Sequence, residues 1–426
     1  MVARVRHALV AGRSSPLARG SAQMLVGQLA RTGVQAIYFV LLARSLAPAG
    51  YGAFVGVLAL VSIAAPFASL GGGNLLIKNV ARDPTRAATA LGNAWLLVVT
   101  SGTLLLALVL AGAHLALPPE TSLSLVLVVG AAELLFARFL DVCSAAFQAQ
   151  RRLARTSMLQ LSLSVCRLAG IALICLTART PTPLVWGGCY LAATVLAAAF
   201  GGALVLRELD APKLDLYRLR AELGEGALFA VSLSAQSLYN DLDKTMLARL
   251  SGFGSAGIYG AAYRMLDVAF LPIRSLLFAS YGSFFKHGVR GIGGTVGFAR
   301  RLVPLAVAYS AASMLALMVT APLVPLVLGP RFAEVVPALR WLAPLIVLRA
   351  VHYFAADALT GAGRQGLRST AQLIVAAVNV GLNLWLIPAH GWRGAAWASL
   401  ASDGLLLVLL SAAVLVLHRA ERAHAT

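Results

Sequence analysis

The chain has 426 residues and a formal net charge of +19, yet it is 59% hydrophobic and only 12% charged. A soluble domain is about half apolar and a quarter charged, so a string of soluble domains is excluded, and a mean hydropathy of +0.82 points to lipid as the solvent. Nor does the charge form the solvated basic face of a nucleic-acid-binding protein: Lys and Arg sit in short gaps between apolar runs, where they act as topology signals.

The first residues, MVARVRHALVAGRSSPLARG, are basic without a long apolar core or a clear cleavage site, so 1–20 reads as a cytoplasmic tail and not as a removed signal peptide. Apolar runs of about 20 residues follow, the length that crosses a bilayer core as a helix. They fall at 21–43, 53–77, 88–113, 121–146, 157–178, 184–206, 226–248, 257–284, 302–320, 335–360, 369–388 and 394–417. Pro48, Pro118-Pro119, Pro181, Pro183, Gly329-Pro330, Pro388 and Gly391 mark many of the breaks. The predicted fold is therefore an all-α polytopic membrane protein of about twelve transmembrane helices. Odd-numbered gaps carry only scattered arginines such as Arg44, Arg179 and Arg249, while most Lys and Arg lie in the even gaps and the tails. That bias places both termini in the cytoplasm.

The longest inside gap, 207–225, alternates charges of both signs with Leu214, Leu216, Leu219 and Leu223. It reads as a short amphipathic linker lying at the membrane surface. It divides the chain into an N-lobe at 21–206 and a C-lobe at 226–418, six spans each, with a cytoplasmic tail at 419–426.

Enzyme chemistry finds little footing. The outer gaps are short and offer only Glu120 and Glu334, far apart, so no carboxylate pair is set for acid–base work. The G-x-x-x-x-G-K phosphate loop is absent. Cys143, Cys166, Cys175 and Cys189 lie in apolar segments without metal or redox spacing, and the histidines do not cluster.

Polar residues inside spans are costly and therefore informative. Span 1 carries Gln28, Arg31 and Gln35 on one helical stripe, and span 7 repeats that spacing with Ser237, Asn240 and Lys244, flanked by Asp241 and Asp243. Span 8 holds Arg264, Asp267 and Arg274. These cations either line a path for an anion or pair with the nearby carboxylates to hold helices together. Glu133, Arg138 and Asp141 in span 4, with Arg167 in span 5, balance in charge and read as packing of the first lobe. Span 10 carries Arg349, His352 and Asp357, the last near the inner interface and expected to be a solvated end. Asn379 and Asn383 stand one turn apart in span 11, with Ser399, Ser402 and Asp403 in span 12.

The two halves resemble each other. ARSLAPAGYG (43–52) returns as ARLSGFGSAGIYG (248–260). FQAQRRLARTSMLQ (147–160) returns as LTGAGRQGLRSTAQL (359–373), with Arg151 matched to Arg364 and Arg155 to Arg368. Parallel repeats of this kind enclose a substrate path in many transporters. The same segments resemble the polysaccharide transporter family of the MOP flippase superfamily. The resemblance is carried by YFVLLARSLAPAGYGAF (38–54), GGGNLLIKNVARD (71–83), DLDKTMLARLSGFGSAGIYGAAYRML (241–266), VPLVLGPRFAEVVPALRWL (324–342) and LIPAHGWRGAAWASLASD (386–403).

That resemblance implies a flippase of the bacterial inner membrane. It would move undecaprenyl-pyrophosphate-linked repeat units for O-antigen, capsule or exopolysaccharide, with a polymerase and chain-length proteins as candidate partners. Spans 1, 2, 7 and 8 would line its cavity, with Gln28, Arg31, Gln35, Asn240, Lys244, Arg264 and Arg274 as substrate-binding candidates. Some lipid II flippases bind sodium in the second lobe, and Asp241, Asn379, Asn383 and Ser399 fall at similar places, although Asn383 stands where an acid is expected. Coupling to protons through Asp241 or Asp243 is the alternative, and interhelical hydrogen bonding without any ion is the bland one. No other cofactor is implied. The rivals are a MATE-type cation exporter, a lipid II flippase, a membrane enzyme acting on the same sugars, and a partner subunit without transport of its own.

Overall fold

The computed structural model describes residues 16–177 and 182–425, all helices and short connections; most of the 1–20 tail and Arg179 lie outside them. The helices are α1 (Pro16–Ala68), α2 (Gly72–Arg82), α3 (Ala87–Ala116), α4 (Leu123–Ala149), α5 (Leu153–Thr177) and α6 (Pro183–Glu208), then α7 (Leu216–Gly288), α8 (Gly291–Thr320), α9 (Val335–Gly361), α10 (Gln365–His390) and α11 (Trp392–Ala425). Among the described residues, 10 helical segments are long and apolar enough to cross a membrane. Two of these, Ala30–Arg82 and Asp241–Gly288, run to 53 and 48 residues, about twice what a crossing needs. Each has non-helical backbone at an internal break, Ala47 and Gly252, and the first turns again at Leu70 and Gly71 before α2. Counting each as two passes agrees with the expected number. The chain is a multi-pass membrane protein.

The interruptions show why the first sequence repeat exists. Ala47 has φ 57 and ψ 174, and Gly252 has φ 85 and ψ 168, the same extended, positive-φ conformation at matching places of the repeat. Such backbone belongs almost wholly to glycine. Pro48 contributes to the break, because proline disfavours the α region for the residue before it. One turn further on, the two copies touch reciprocally. A Cβ on Gly52 would lie 1.7 Å from the Phe253 carbonyl oxygen, and a Cβ on Gly257 would lie 1.9 Å from that of Pro48. Only glycine at both places allows this backbone-to-backbone approach.

The second repeat is aligned differently by its geometry than by its arginines. Arg151 has φ 61 and Gly363 has φ 74. Each follows a helix end: Arg152 N donates to Phe147 O at 2.9 Å, and Arg364 N to Leu359 O at 2.8 Å. Both are left-handed C-terminal caps. Arg151 therefore corresponds to Gly363, one residue before the Arg364 that sequence matching selects.

The chain forms two compact units. One comprises residues 1–46 and 53–245, the other residues 47–52 and 246–426. The first half of α7, through Thr245, therefore packs with the first unit. Within that unit α2 packs on α3 and α4, and α5 on α6, around a core that includes Leu76, Leu91, Leu140, Phe147 and Leu159. α6 starts cleanly because Thr182 accepts a hydrogen bond from Val185 N at 3.3 Å and Pro183 fills the first helical position. In the second unit α10 packs on α11, and α8 and α11 both pack on α9.

Residues 216–225 are the opening turns of α7, and the stretch from Lys213 onward is stitched to the first unit. Lys213 N donates to Ala88 O at 2.9 Å. Asn93 donates to Asp215 O and accepts from Asp215 N, both at 3.0 Å. Asn79 donates to both carboxylate oxygens of Glu222, and Lys78 pairs with Glu225. Glycines make room for it: a Cβ on Gly92 would lie 2.2 Å from Lys213 O, and one on Gly226 would lie 2.4 Å from Leu70 O. Leu214, Leu216 and Leu223 are exposed.

Candidate functional site

In the first unit, α1 carries the expected polar stripe. Gln28 is exposed, while Arg31 and Gln35 are half-buried. Arg31 Nη1 donates to Gln160 Oε1 of α5 at 3.5 Å. On α7, Asp241 accepts from Ser62 Oγ at 3.1 Å and pairs with Lys244 one turn on at 2.7 Å. Lys244 is thus an ion-paired cation. Asp243 is buried and accepts the Lys244 backbone N–H at 2.8 Å. The side chains of Ser237 and Asn240 lie outside the described residues.

The second cluster of that unit resolves into two neutral pairs. Arg138 joins Asp141 at 3.0 Å, and Arg167 joins Glu133 at 2.6 Å. The Tyr190 hydroxyl donates to the same Glu133 oxygen, and the Arg167 guanidinium lies 4.0 Å over the Tyr190 ring. Thr194 Oγ1 accepts from Arg167 Nε at 3.2 Å. The Arg167–Glu133 pair is both ion-paired and hydrogen-bonded, the condition for ions away from water. Glu133 lies in a π-helical turn, Ala132–Ala137, inside α4.

The second unit holds a buried polar network that joins four helices. Arg349 of α9 donates from Nε to Asp403 Oδ2 of α11 at 3.0 Å, with side chains 12% and 3% exposed. Its Nη2 donates to the Tyr263 hydroxyl at 2.9 Å, which donates in turn to Ser399 Oγ at 3.5 Å. Tyr259 shares a hydrogen bond of 2.9 Å with the same serine. His352 Nε2 lies 3.4 Å from the other Asp403 oxygen. Beside this, Asn383 donates to Asn379 at 2.8 Å and Asn379 donates to Ser402 at 2.9 Å. Ser399 and the asparagine pair thus serve different parts of the network. Asp241 and Asp243 belong to the first unit, so the residues considered for ion coupling divide between the two units.

Of the remaining candidates, Arg264 is half-buried, and Arg274 lies 3.6 Å from Asp267 with both side chains well exposed. Asp357 is not the solvated end expected of it. It is buried and held by Arg368 at 3.3 Å. The arrangement that sequence reasoning missed is Arg349–Asp403–His352. Its signals were present, since Arg349 and His352 share a helix face, as do Ser399 and Asp403; which faces meet was not readable. Among the described residues no group of His, Cys, Asp and Glu is arranged to hold a metal ion.

Residues 17–281 match the family described as polysaccharide biosynthesis protein. The chain belongs to that family. No curated protein sequence matches it. Among solved structures it is similar to a multidrug resistance MATE family transporter of the MOP superfamily in an inward-facing conformation, with 14% identity, TM-score 0.73, and 92% of this chain and 99% of that one covered. It is also similar to the lipid II flippase MurJ in an inward closed conformation, with 10% identity, TM-score 0.74, and 92% and 87% covered. A MOP superfamily transporter from Pyrococcus furiosus, described as having a binding pocket of reverse polarity, gives 14% identity, TM-score 0.62, and 95% and 97% covered. At these identities the likeness establishes the fold, that of the MOP superfamily. Its known bearers here are transporters and a flippase.

Proposed function

We propose that the protein is an alternating-access flippase that moves polyprenyl-pyrophosphate-linked oligosaccharide repeat units from the inner to the outer leaflet of a bacterial cytoplasmic membrane. The observation that carries this reading is membership of a polysaccharide biosynthesis family by a chain whose fold is shared with a lipid II flippase. Arg31 adds chemical support. An arginine within a span costs roughly 2.5–3.5 kcal/mol on insertion scales, and its planar fork suits phosphate oxygens. Gln28 and Gln35, a turn to either side, offer neutral hydrogen-bonding groups to a headgroup. Lys244 with Asn240, and Arg264 and Arg274 in the second unit, are the other contacts in this reading. A pyrophosphate competing with Asp241 for Lys244 makes that pair a gate. Coupling to a proton or sodium ion would draw on Asp241, Asp243, Asn379, Asn383 and Ser399.

The test is a strain deleted for the gene. Lipid-linked repeat units should accumulate on the inner leaflet and surface polysaccharide should vanish. The wild type should restore both, and Arg31→Ala should restore neither while reaching the membrane folded. The similarity to a MATE transporter favours drug export as the second reading. Normal surface polysaccharide with new sensitivity to cationic drugs would establish that reading instead.

A further inference from the structure

Helices α3, α4 and α6 of the first unit leave between them a groove of about 460 Å³ lined entirely by apolar residues and glycine. Its shape follows from three local features. The π turn at Ala132–Ala137 brings Leu135 and Phe136 to the groove wall, and it presses the Leu134 carbonyl toward α3 at Gly102, where a Cβ would lie 2.7 Å from that oxygen. Trp95 and Phe139, with ring centroids 4.8 Å apart, form an aromatic wall. On α6 the lining is small, with Ala198, Ala199 and Gly202; a Cβ on Gly202 would already lie 3.1 Å from the Phe139 ring.

The lining on α6 runs from Val195 to Leu206 along one face. At 1.5 Å per residue that is about 16 Å, one leaflet of a bilayer core of roughly 30 Å. The groove therefore runs along the helix axes, opens to hydrocarbon, and takes a chain lying parallel to the lipid tails. At the end nearest the linker, Leu206 is followed by Arg207, an exposed cation in the last turn of α6. A cation there suits a phosphate at the head of the chain.

We infer that this groove binds the isoprenoid tail of a prenyl phosphate lipid, with Arg207 at its phosphate end. The inference rests on the flippase reading for the identity of the lipid, and it assigns the tail a place on the first unit in lieu of bulk bilayer.

The experiment uses the full chain in proteoliposomes with a diazirine-tagged polyprenyl phosphate, compared with a diazirine-tagged phosphatidylglycerol, and adducts mapped by mass spectrometry. Ala199→Trp and Ala203→Trp fill the groove from its exposed rim; Leu196→Trp, on the same helix outside the lining, is the control. The prenyl probe should label Trp95, Phe136 or Phe139 roughly tenfold more than the phosphatidylglycerol probe, a difference of about 1.4 kcal/mol. Both rim variants should lose that labelling, Leu196→Trp should keep it, and Arg207→Gln should weaken it. Equal labelling by the two probes, or labelling undiminished in both rim variants, would overturn the inference. Transport of a lipid-linked oligosaccharide is read in the same vesicles. Wild-type transport without groove labelling sinks the groove and leaves the flippase reading standing; groove labelling without transport does the reverse.

Discussion

The reciprocal glycine contact makes a sharp quantitative prediction. In Gly52→Ala the new methyl would start 1.7 Å from the Phe253 carbonyl oxygen and 2.7 Å from Gly257 N, and in Gly257→Ala it would start 1.9 Å from Pro48 O. Real Cβ contacts stay beyond 3.0 Å, so the strands of backbone must part by more than 1 Å. The obstructing atoms are main-chain, and no side chain can swing aside. Overpacking a tight site costs about 1–3 kcal/mol, and separation also forfeits close-approach contacts that help hold membrane helices together. Each single variant should therefore lose about 3 kcal/mol in equilibrium unfolding by denaturing detergent in mixed micelles. Gly254→Ala is the internal control, since nothing lies within 4 Å of a Cβ there; it should be neutral or stabilising by up to about 1 kcal/mol. The double variant should cost less than the two singles together, because one separation clears both methyls. Alanine variants within about 0.5 kcal/mol of wild type at both positions would refute the argument.

Other expectations follow from the same physics. Ala47→Gly should stabilise by about 1 kcal/mol, relieving a positive-φ alanine at the expense of some chain entropy, whereas Gly252→Ala should destabilise by about 1–3 kcal/mol; opposite signs in the same unfolding assay are the check. Asp403→Asn should destabilise the second unit by about 3–5 kcal/mol, since Arg349 would lose its buried counter-charge, and Arg349→Met with Asp403→Leu should recover most of that loss. Asn93→Ala removes two hydrogen bonds to Asp215 and should cost about 1–3 kcal/mol, read as faster amide exchange over residues 213–216; unchanged exchange there would mean the linker is held by other contacts.

The membrane class, the number of passes and the repeat were legible because hydropathy and charge bias are summed over long windows. The conformation behind the repeat was partly legible: Pro48 announced a break, but that Ala47 and Gly252 share a backbone geometry is a property of φ and ψ, not of composition. At the Arg151 turn, matching arginines misled by one residue, because a left-handed cap is marked by position and the first copy does not use glycine there. Pairs within one helix follow from spacing alone, as with Lys244 and Asp241 one turn apart. Pairs between distant helices, such as Arg349 with Asp403 or Arg368 with Asp357, depend on which helix faces meet, and a single sequence does not encode that legibly. The linker showed a similar limit. Its exposed leucines were visible as a pattern, whereas its bonds to Asn79, Lys78 and Asn93 required the fold.

Those bonds carry a practical corollary. The stretch after α6 is fastened along its length by Lys213, Asp215, Glu222 and Glu225, so the covalent bond between Asp210 and Ala211 adds little to what already holds α7 in place. The gene could be cut there and its two products expressed side by side. The second polypeptide would find its seat on the first through hydrogen bonds and glycine-made recesses, and a protein assembled from the two pieces would give separate handles for labelling each.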